Sequence, residues 1–109
     1  MMRILGILFG NSLGAGKNLP IDAILIDVRS PTEYASGHIE GAISLQLNRL
    51  SQTIQSTIPD KNTPIIVYCV SGARSASARN GLLKLGYDNV SNGGGIGSLA
   101  LKLKKAICR

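Results

Sequence analysis

Apolar residues fall in short blocks separated by polar and glycine-bearing breaks, and the blocks alternate between two spacings. Ile24-Leu25-Ile26 runs directly into Asp27-Val28, and Pro64-Ile65-Ile66-Val67-Tyr68-Cys69 is an unbroken block rich in β-branched residues. Short apolar runs without alternation belong to strands covered on both faces, as in parallel sheets. Ala42-Ile43-Ser44-Leu45 is a further short strand candidate, and Asp88-Asn89-Val90 the last one. Between these blocks the spacing lengthens. Leu47, Leu50, Ile54 and Ile58 recur at steps of three and four residues, which places them on one face of a helix. Ala76, Ala78, Leu82, Leu83 and Leu85 predict a second helix over Ser75–Leu85, capped by Gly86 and weakened inside by Gly81.

The breaks carry their own information. Ser30, Pro31 and Glu33 stand where an N-cap, the first helical position and the third helical position of a capping box belong, so a short helix starts there and Gly37 ends it. Pro59-Asp60-Lys61-Asn62 reads as a turn, Asn92-Gly93-Gly94-Gly95 as a glycine-rich turn, and Leu99–Ile107 as a final helix with a basic face. Strands alternating with helices predict an α/β domain with a central, mainly parallel sheet flanked by helices. Ligands of such sheets bind beyond the carboxyl ends of the strands, and Cys69 stands at the end of the clearest one.

Composition narrows the classes. With 109 residues the chain is expected to be one domain, 1–109, with an apolar N-terminal segment over 1–16. Hydrophobic residues make up 44%, too many for a disordered chain, and aromatics only 4%, so the core is aliphatic. Two cysteines and one histidine supply neither a disulfide framework nor a four-ligand zinc site. The net charge of +6 suits an anionic partner, but the scarcity of aromatics argues against a stacking platform for nucleic acid. A small anion fits better. No run is long enough to span a membrane. Ile4 to Phe9 resembles the apolar stretch of a secretory signal, but Gly6 interrupts it and Leu13-Gly14-Ala15-Gly16 is a poor cleavage site. The segment is therefore read as a first strand or an apolar piece docking on the core. That reading places the chain in the cytoplasm; a signal would place it in the periplasm.

Candidate chemistry centres on Tyr68-Cys69-Val70-Ser71-Gly72-Ala73-Arg74-Ser75. A thiol at a strand end faces a tight loop of small residues that leads into a helix. Consecutive N–H groups of such a loop can form an anion-binding concavity, and the helix adds the positive end of its dipole. Both favour thiolate over thiol, which would make Cys69 a nucleophile without a histidine base. A buried, inert thiol is the alternative, and the residues alone leave both readings open.

The chain resembles the single-domain rhodaneses, a family of sulfurtransferases. Four segments carry the resemblance in the family's order, over about residues 21–100. They are Leu25-Ile26-Asp27-Val28-Arg29; Gly37-His38-Ile39-Glu40-Gly41-Ala42, with Glu40 where proline is usual; Tyr68-Cys69 with Ser71-Gly72 and Arg74-Ser75; and Asn92 with Gly94-Gly95-Ile96. Leu99 stands where a tryptophan is usual. Four residues separate Cys69 from Arg74, the sulfurtransferase spacing, whereas related phosphatases and arsenate reductases have a loop one residue longer.

The resemblance implies that Cys69 attacks the outer sulfur of thiosulfate and carries it as a covalent persulfide, with no separate cofactor and no metal. Cyanide or a thiol would then accept the sulfur. Loop positions Val70, Ser71, Gly72, Ala73, Arg74 and Ser75 would bind the donor, Arg74 either setting the field or bracing the loop, and Ser75 capping the helix. Asp27 and Arg29 would support the site as a buried pair or loop brace, His38 would orient a loop, and Cys108 would lie in a frayed tail. A monomer is expected, with no nucleic-acid or membrane partner. Two other functions stay in view: a sulfur carrier or interaction module that does not turn over, using the basic Lys102–Lys105 face, and a cysteine-dependent phosphatase or arsenate reductase.

Overall fold

The computed structural model describes residues 19–109, so the apolar segment over 1–16 lies outside the described residues. Strand β1 (Ile24–Asp27) leads through helix α1 (Pro31–Ser36) to the two short strands β2 (His38–Ile39) and β3 (Ile43–Ser44). A 3-10 turn, Leu47–Arg49, precedes α2 (Leu50–Thr57). Then come β4 (Ile65–Cys69), α3 (Ala73–Lys84), β5 (Val90–Gly95), α4 (Ile96–Leu103) and β6 (Ile107–Cys108). The main sheet has the order β3-β1-β4-β5 with every pairing parallel, and β2 pairs antiparallel with β6 in a second, two-stranded sheet. This is the α/β architecture that the block pattern predicts.

All five residues of β4 are buried, because helices cover both faces of this central strand. Side chains alternate across a strand. Ile65, Val67 and Cys69 therefore join the core under α2 and α3, with Ile26, Ile54, Ala78 and Leu82. Ile66 and Tyr68 join the opposite core, with Leu25, Ile39, Leu99 and Ala100. That alternation fixes which face the Cys69 thiol occupies.

The local signals are realised in detail. Ser30 Oγ accepts the Glu33 N–H at 3.2 Å and Glu33 Oε1 accepts the Ser30 N–H at 2.9 Å, with Pro31 opening α1. At the far end of α3, Gly86 (φ 100°) donates its N–H to Leu83 O and Tyr87 donates to Leu82 O, the paired bonds of a Schellman cap.

Three expectations are corrected. The segment Asn92–Gly95 is strand rather than turn: it forms the last four residues of β5 on the edge of the sheet, with a bulge that skips Gly93 between the pairs Val67–Asn92 and Tyr68–Gly94. Its glycines serve close approach, since a Cβ on Gly93 would lie 2.7 Å from Leu99 Cδ2 and 2.8 Å from Ile66 Cγ2. The last helix starts at Ile96 and stops at Leu103, where Lys104 turns left-handed (φ 57°), so Lys104 and Lys105 follow the helix instead of extending a basic face. Cys108 is not in a frayed tail, because β6 pairs it with His38. Among the described residues no helix is long and apolar enough to cross a membrane.

Candidate active site

Cys69 ends β4 and the chain turns at once into α3. The turn is possible because Gly72 takes φ 103°, a left-handed conformation that strains any residue with a Cβ. The Gly72 N–H then donates to Cys69 Sγ at 3.0 Å, and the Ser75 N–H reaches the same sulfur at 3.4 Å. Twelve residues of helix stand behind these amides, so the positive end of the α3 dipole also faces the sulfur. Burial pushes the thiol's pKa up, but hydrogen bonds from Ser75, Gly72 and Ser71 outweigh it and bring Cys69 down to about 7. The lowered pKa brings the thiolate within reach near neutrality.

Ser75 does not cap α3, whose N-cap is Gly72, and it contributes more than an amide. Its buried hydroxyl lies 3.5 Å from Cys69 Sγ, 3.1 Å from Gly72 O and 2.6 Å from Asn92 Oδ1. A hydroxyl has one proton to donate. Asn92 Oδ1 therefore competes with the sulfur for that proton, and the hydroxyl lowers the Cys69 pKa when it is turned to the sulfur. Asn92 is itself fixed, accepting the Gly94 N–H at 2.9 Å and donating to Gly72 O at 3.3 Å. The first half of the loop and the strand edge are thus tied together through one amide side chain.

The remaining sequence candidates separate into groups. Val70 and Ser71 are exposed at the crest of the loop, and Ala73 is an exposed first residue of α3. Arg74 does not turn toward the sulfur: Nη1 and Nη2 make a two-pronged ion pair with Glu33 at 2.8 and 3.1 Å. Asp27 and Arg29 form a buried pair, with Arg29 Nη2 2.6 Å from Asp27 Oδ2 and also 2.6 Å from Gly37 O. The bond to Gly37 O anchors the β1 end to the start of β2, a bracing arrangement. His38 stacks on Tyr34 with ring centroids 3.7 Å apart, and its Nδ1–H donates to Tyr34 O at 2.9 Å. Glu33 and Asn92 are the partners that sequence reasoning did not assign to the site. Glu33 read only as a helix cap, and nothing in a linear sequence brings it to Arg74, 41 positions away.

A strand-end cysteine, cradled by the amides of a tight loop at the carboxyl edge of a parallel sheet, defines an α/β domain built around an activated thiol. Comparison with known proteins makes the class specific: residues 12–96 match the rhodanese-like domain, and the chain belongs to that family. Thiosulfate sulfurtransferase PspE of Escherichia coli strain K12 is 40% identical over 76 residues, 70% of this chain and 73% of that protein. Thiosulfate sulfurtransferase GlpE of Pseudomonas entomophila is 37% identical over 68 residues, 62% of this chain and 61% of that relative. Among solved structures, a rhodanese with anions from E. coli superposes with a TM-score of 0.67 at 39% identity, covering 69% of this chain and 88% of its own.

Proposed function

We propose that the chain is a sulfurtransferase that moves sulfane sulfur from a small anionic donor, thiosulfate, to a thiophilic acceptor by way of Cys69. The observation that carries this reading is the approach of the Gly72 and Ser75 amides to Cys69 Sγ, at 3.0 and 3.4 Å. Kinship to proteins named thiosulfate sulfurtransferase supports the donor. The thiolate attacks the outer sulfur of thiosulfate. A Cys69 S–S bond forms as the donor's own S–S bond breaks, and the bonding pair departs with sulfite. The single negative charge moves from Sγ to the terminal sulfur, where loop N–H groups stabilise it as an oxyanion hole would. Cyanide or a thiolate then attacks that sulfur and returns the pair to Sγ.

Loop size and charge favour sulfur over phosphoryl chemistry. Four residues between Cys69 and Arg74 make a narrow ring, and Arg74 is engaged by Glu33 rather than turned inward to clasp a tetrahedral anion. Intact-protein mass spectrometry tests the reading. Thiosulfate should add one sulfur atom to the parent and to Cys108→Ser, cyanide should remove it as thiocyanate, and Cys69→Ser should gain none. Undiminished thiocyanate formation by Cys69→Ser would overturn it.

A further inference from the structure

The chain carries a net charge of +6, yet the charged side chains at the carboxyl end of β1 and the start of α3 balance. Arg29 is matched by Asp27, and Arg74 by Glu33. Three bonds hold the Glu33 carboxylate in place: Oε1 accepts the Ser30 N–H at 2.9 Å and Arg74 Nη1 at 2.8 Å, and Oε2 accepts Arg74 Nη2 at 3.1 Å. Those contacts keep its pKa at about 2, with the Arg74 hydrogen bond the chief cause, so the pair stays ionised across the neutral range. Arg74 directly precedes Ser75, whose N–H reaches Cys69 Sγ at 3.4 Å, so the chain carries its cation at the rim of the Cys69 loop, where Glu33 pairs with it.

We propose that Glu33 is a donor-selectivity residue: by neutralising Arg74 it withholds a side-chain cation from the mouth of the Cys69 loop and weights the site toward sulfur donors of low negative charge. The inference deepens the sulfurtransferase reading and rests on it. With the pair intact, donor recognition falls to loop amides, which bind the sulfur atom undergoing transfer and not the total charge of the molecule that brings it. The exposed Val70 beside Cys69 adds an apolar surface to the same mouth. Coulomb interaction scales with donor charge, so changing the pair must act on a dianion with twice the logarithmic effect that it has on a monoanion.

The test uses two donors of the same chemistry, dianionic thiosulfate and monoanionic benzenethiosulfonate, with cyanide as acceptor and kcat/KM for the donor as readout. Glu33→Gln retains the capping box, which accepts Gln at that position. It should raise kcat/KM about sevenfold for thiosulfate and about threefold for benzenethiosulfonate at low ionic strength, and added salt should shrink both gains. Arg74→Gln leaves Glu33 unopposed and should lower kcat/KM about sevenfold for thiosulfate and about threefold for benzenethiosulfonate. The neutral double variant should return to within about twofold of the parent, because only net charge at the mouth has been restored. A bracing role predicts the reverse, a double variant no better than the worse single one. Equal effects on the two donors, or a double variant without recovery, would overturn the selectivity role while leaving sulfur transfer intact. Absence of sulfur loading in the parent would instead remove the reading beneath it.

Discussion

The Gly72 amide meets the Cys69 sulfur at 3.0 Å because Gly72 turns the chain at φ 103°. The thiol that results titrates near 7 instead of in its ordinary range. Alkylation of Cys69 by iodoacetamide should thus rise with a midpoint near pH 7 and level off above about pH 8. The same shift acts on stability. The thiolate is favoured in the folded state, so its contribution is complete above the unfolded thiol's pKa and is lost as pH falls through about 7. Urea midpoints for the parent and Cys69→Ala should converge on acidification. A Cys69 midpoint above 8 would contradict the amide cradle.

Ser75 and Asn92 make a second, separable prediction. A hydrogen bond to a charged group contributes about 1.5–3 kcal/mol, or one to two pKa units. Turning the Ser75 hydroxyl to sulfur gives up the 2.6 Å contact to Asn92, so its net effect is smaller. Ser75→Ala should raise the Cys69 pKa by less than about one unit. Asn92→Ala removes the closer of the two rival acceptors, leaving Gly72 O at 3.1 Å, and should lower the pKa. Alkylation profiles of the two variants would therefore move in opposite directions, and profiles that coincide with the parent would show that the hydroxyl proton has no role.

The strand edge also holds the loop mechanically. A Cβ added at Gly95 would collide with the carbonyl oxygen of Val70, and backbone cannot swing aside as a flexible side chain can. Gly95→Ala should displace the loop, cost about 1–3 kcal/mol and reduce sulfur loading of Cys69 by at least about tenfold. Gly97→Ala is the matched control. Nothing lies within 4 Å of the added carbon inside α4, so stability there should rise by up to about 1 kcal/mol. Similar losses in both variants would show that the Val70 contact is unimportant.

These glycines mark where linear reading stops. The β4 block, the capping box at Ser30, the Schellman glycine and the cysteine loop are all local, decided by residues within a few positions of one another, and they are visible in the chain. Asn92–Gly95 is not, because three successive glycines resemble a flexible turn until Leu99, Ile66 and Val70 are seen pressed against them. The Arg74–Glu33 and Ser75–Asn92 contacts join elements 41 and 17 positions apart. Their residue types announce a cap and a turn, and tertiary packing gives them a second role. The end of the chain went the same way: Ile107-Cys108 is too short to declare itself a strand, and it becomes one only because His38-Ile39 offers an edge.

Tyr68 shows how the second core supports the site. Its buried hydroxyl accepts the Ile39 N–H at 3.0 Å, one residue before Cys69 and 29 away from its partner. Tyr68→Phe preserves shape but leaves a buried amide without an acceptor. A loss of about 1–3 kcal/mol in urea unfolding is expected, with the Cys69 titration unchanged. A neutral variant would mean that water reaches Ile39.

The Asp27–Arg29 pair calls for the strictest separation of support from chemistry. Asp27 is fully buried and accepts the Arg29 backbone N–H at 2.9 Å together with Nε and Nη2 of the same residue. Removing one partner leaves an uncompensated charge in the core, which typically costs about 3–5 kcal/mol, whereas replacing both by apolar groups of similar volume is often close to neutral. Arg29→Met should therefore destabilise strongly, and Asp27→Leu/Arg29→Met should recover most of the loss. The double variant also loses the bond from Arg29 to Gly37 O, so the join between β1 and β2 should exchange amide hydrogens faster than in the parent. Urea unfolding of the four proteins gives the coupling energy directly. Additive losses would show that the two side chains act independently, and the pair would then have to be retained for something other than holding each other's charge.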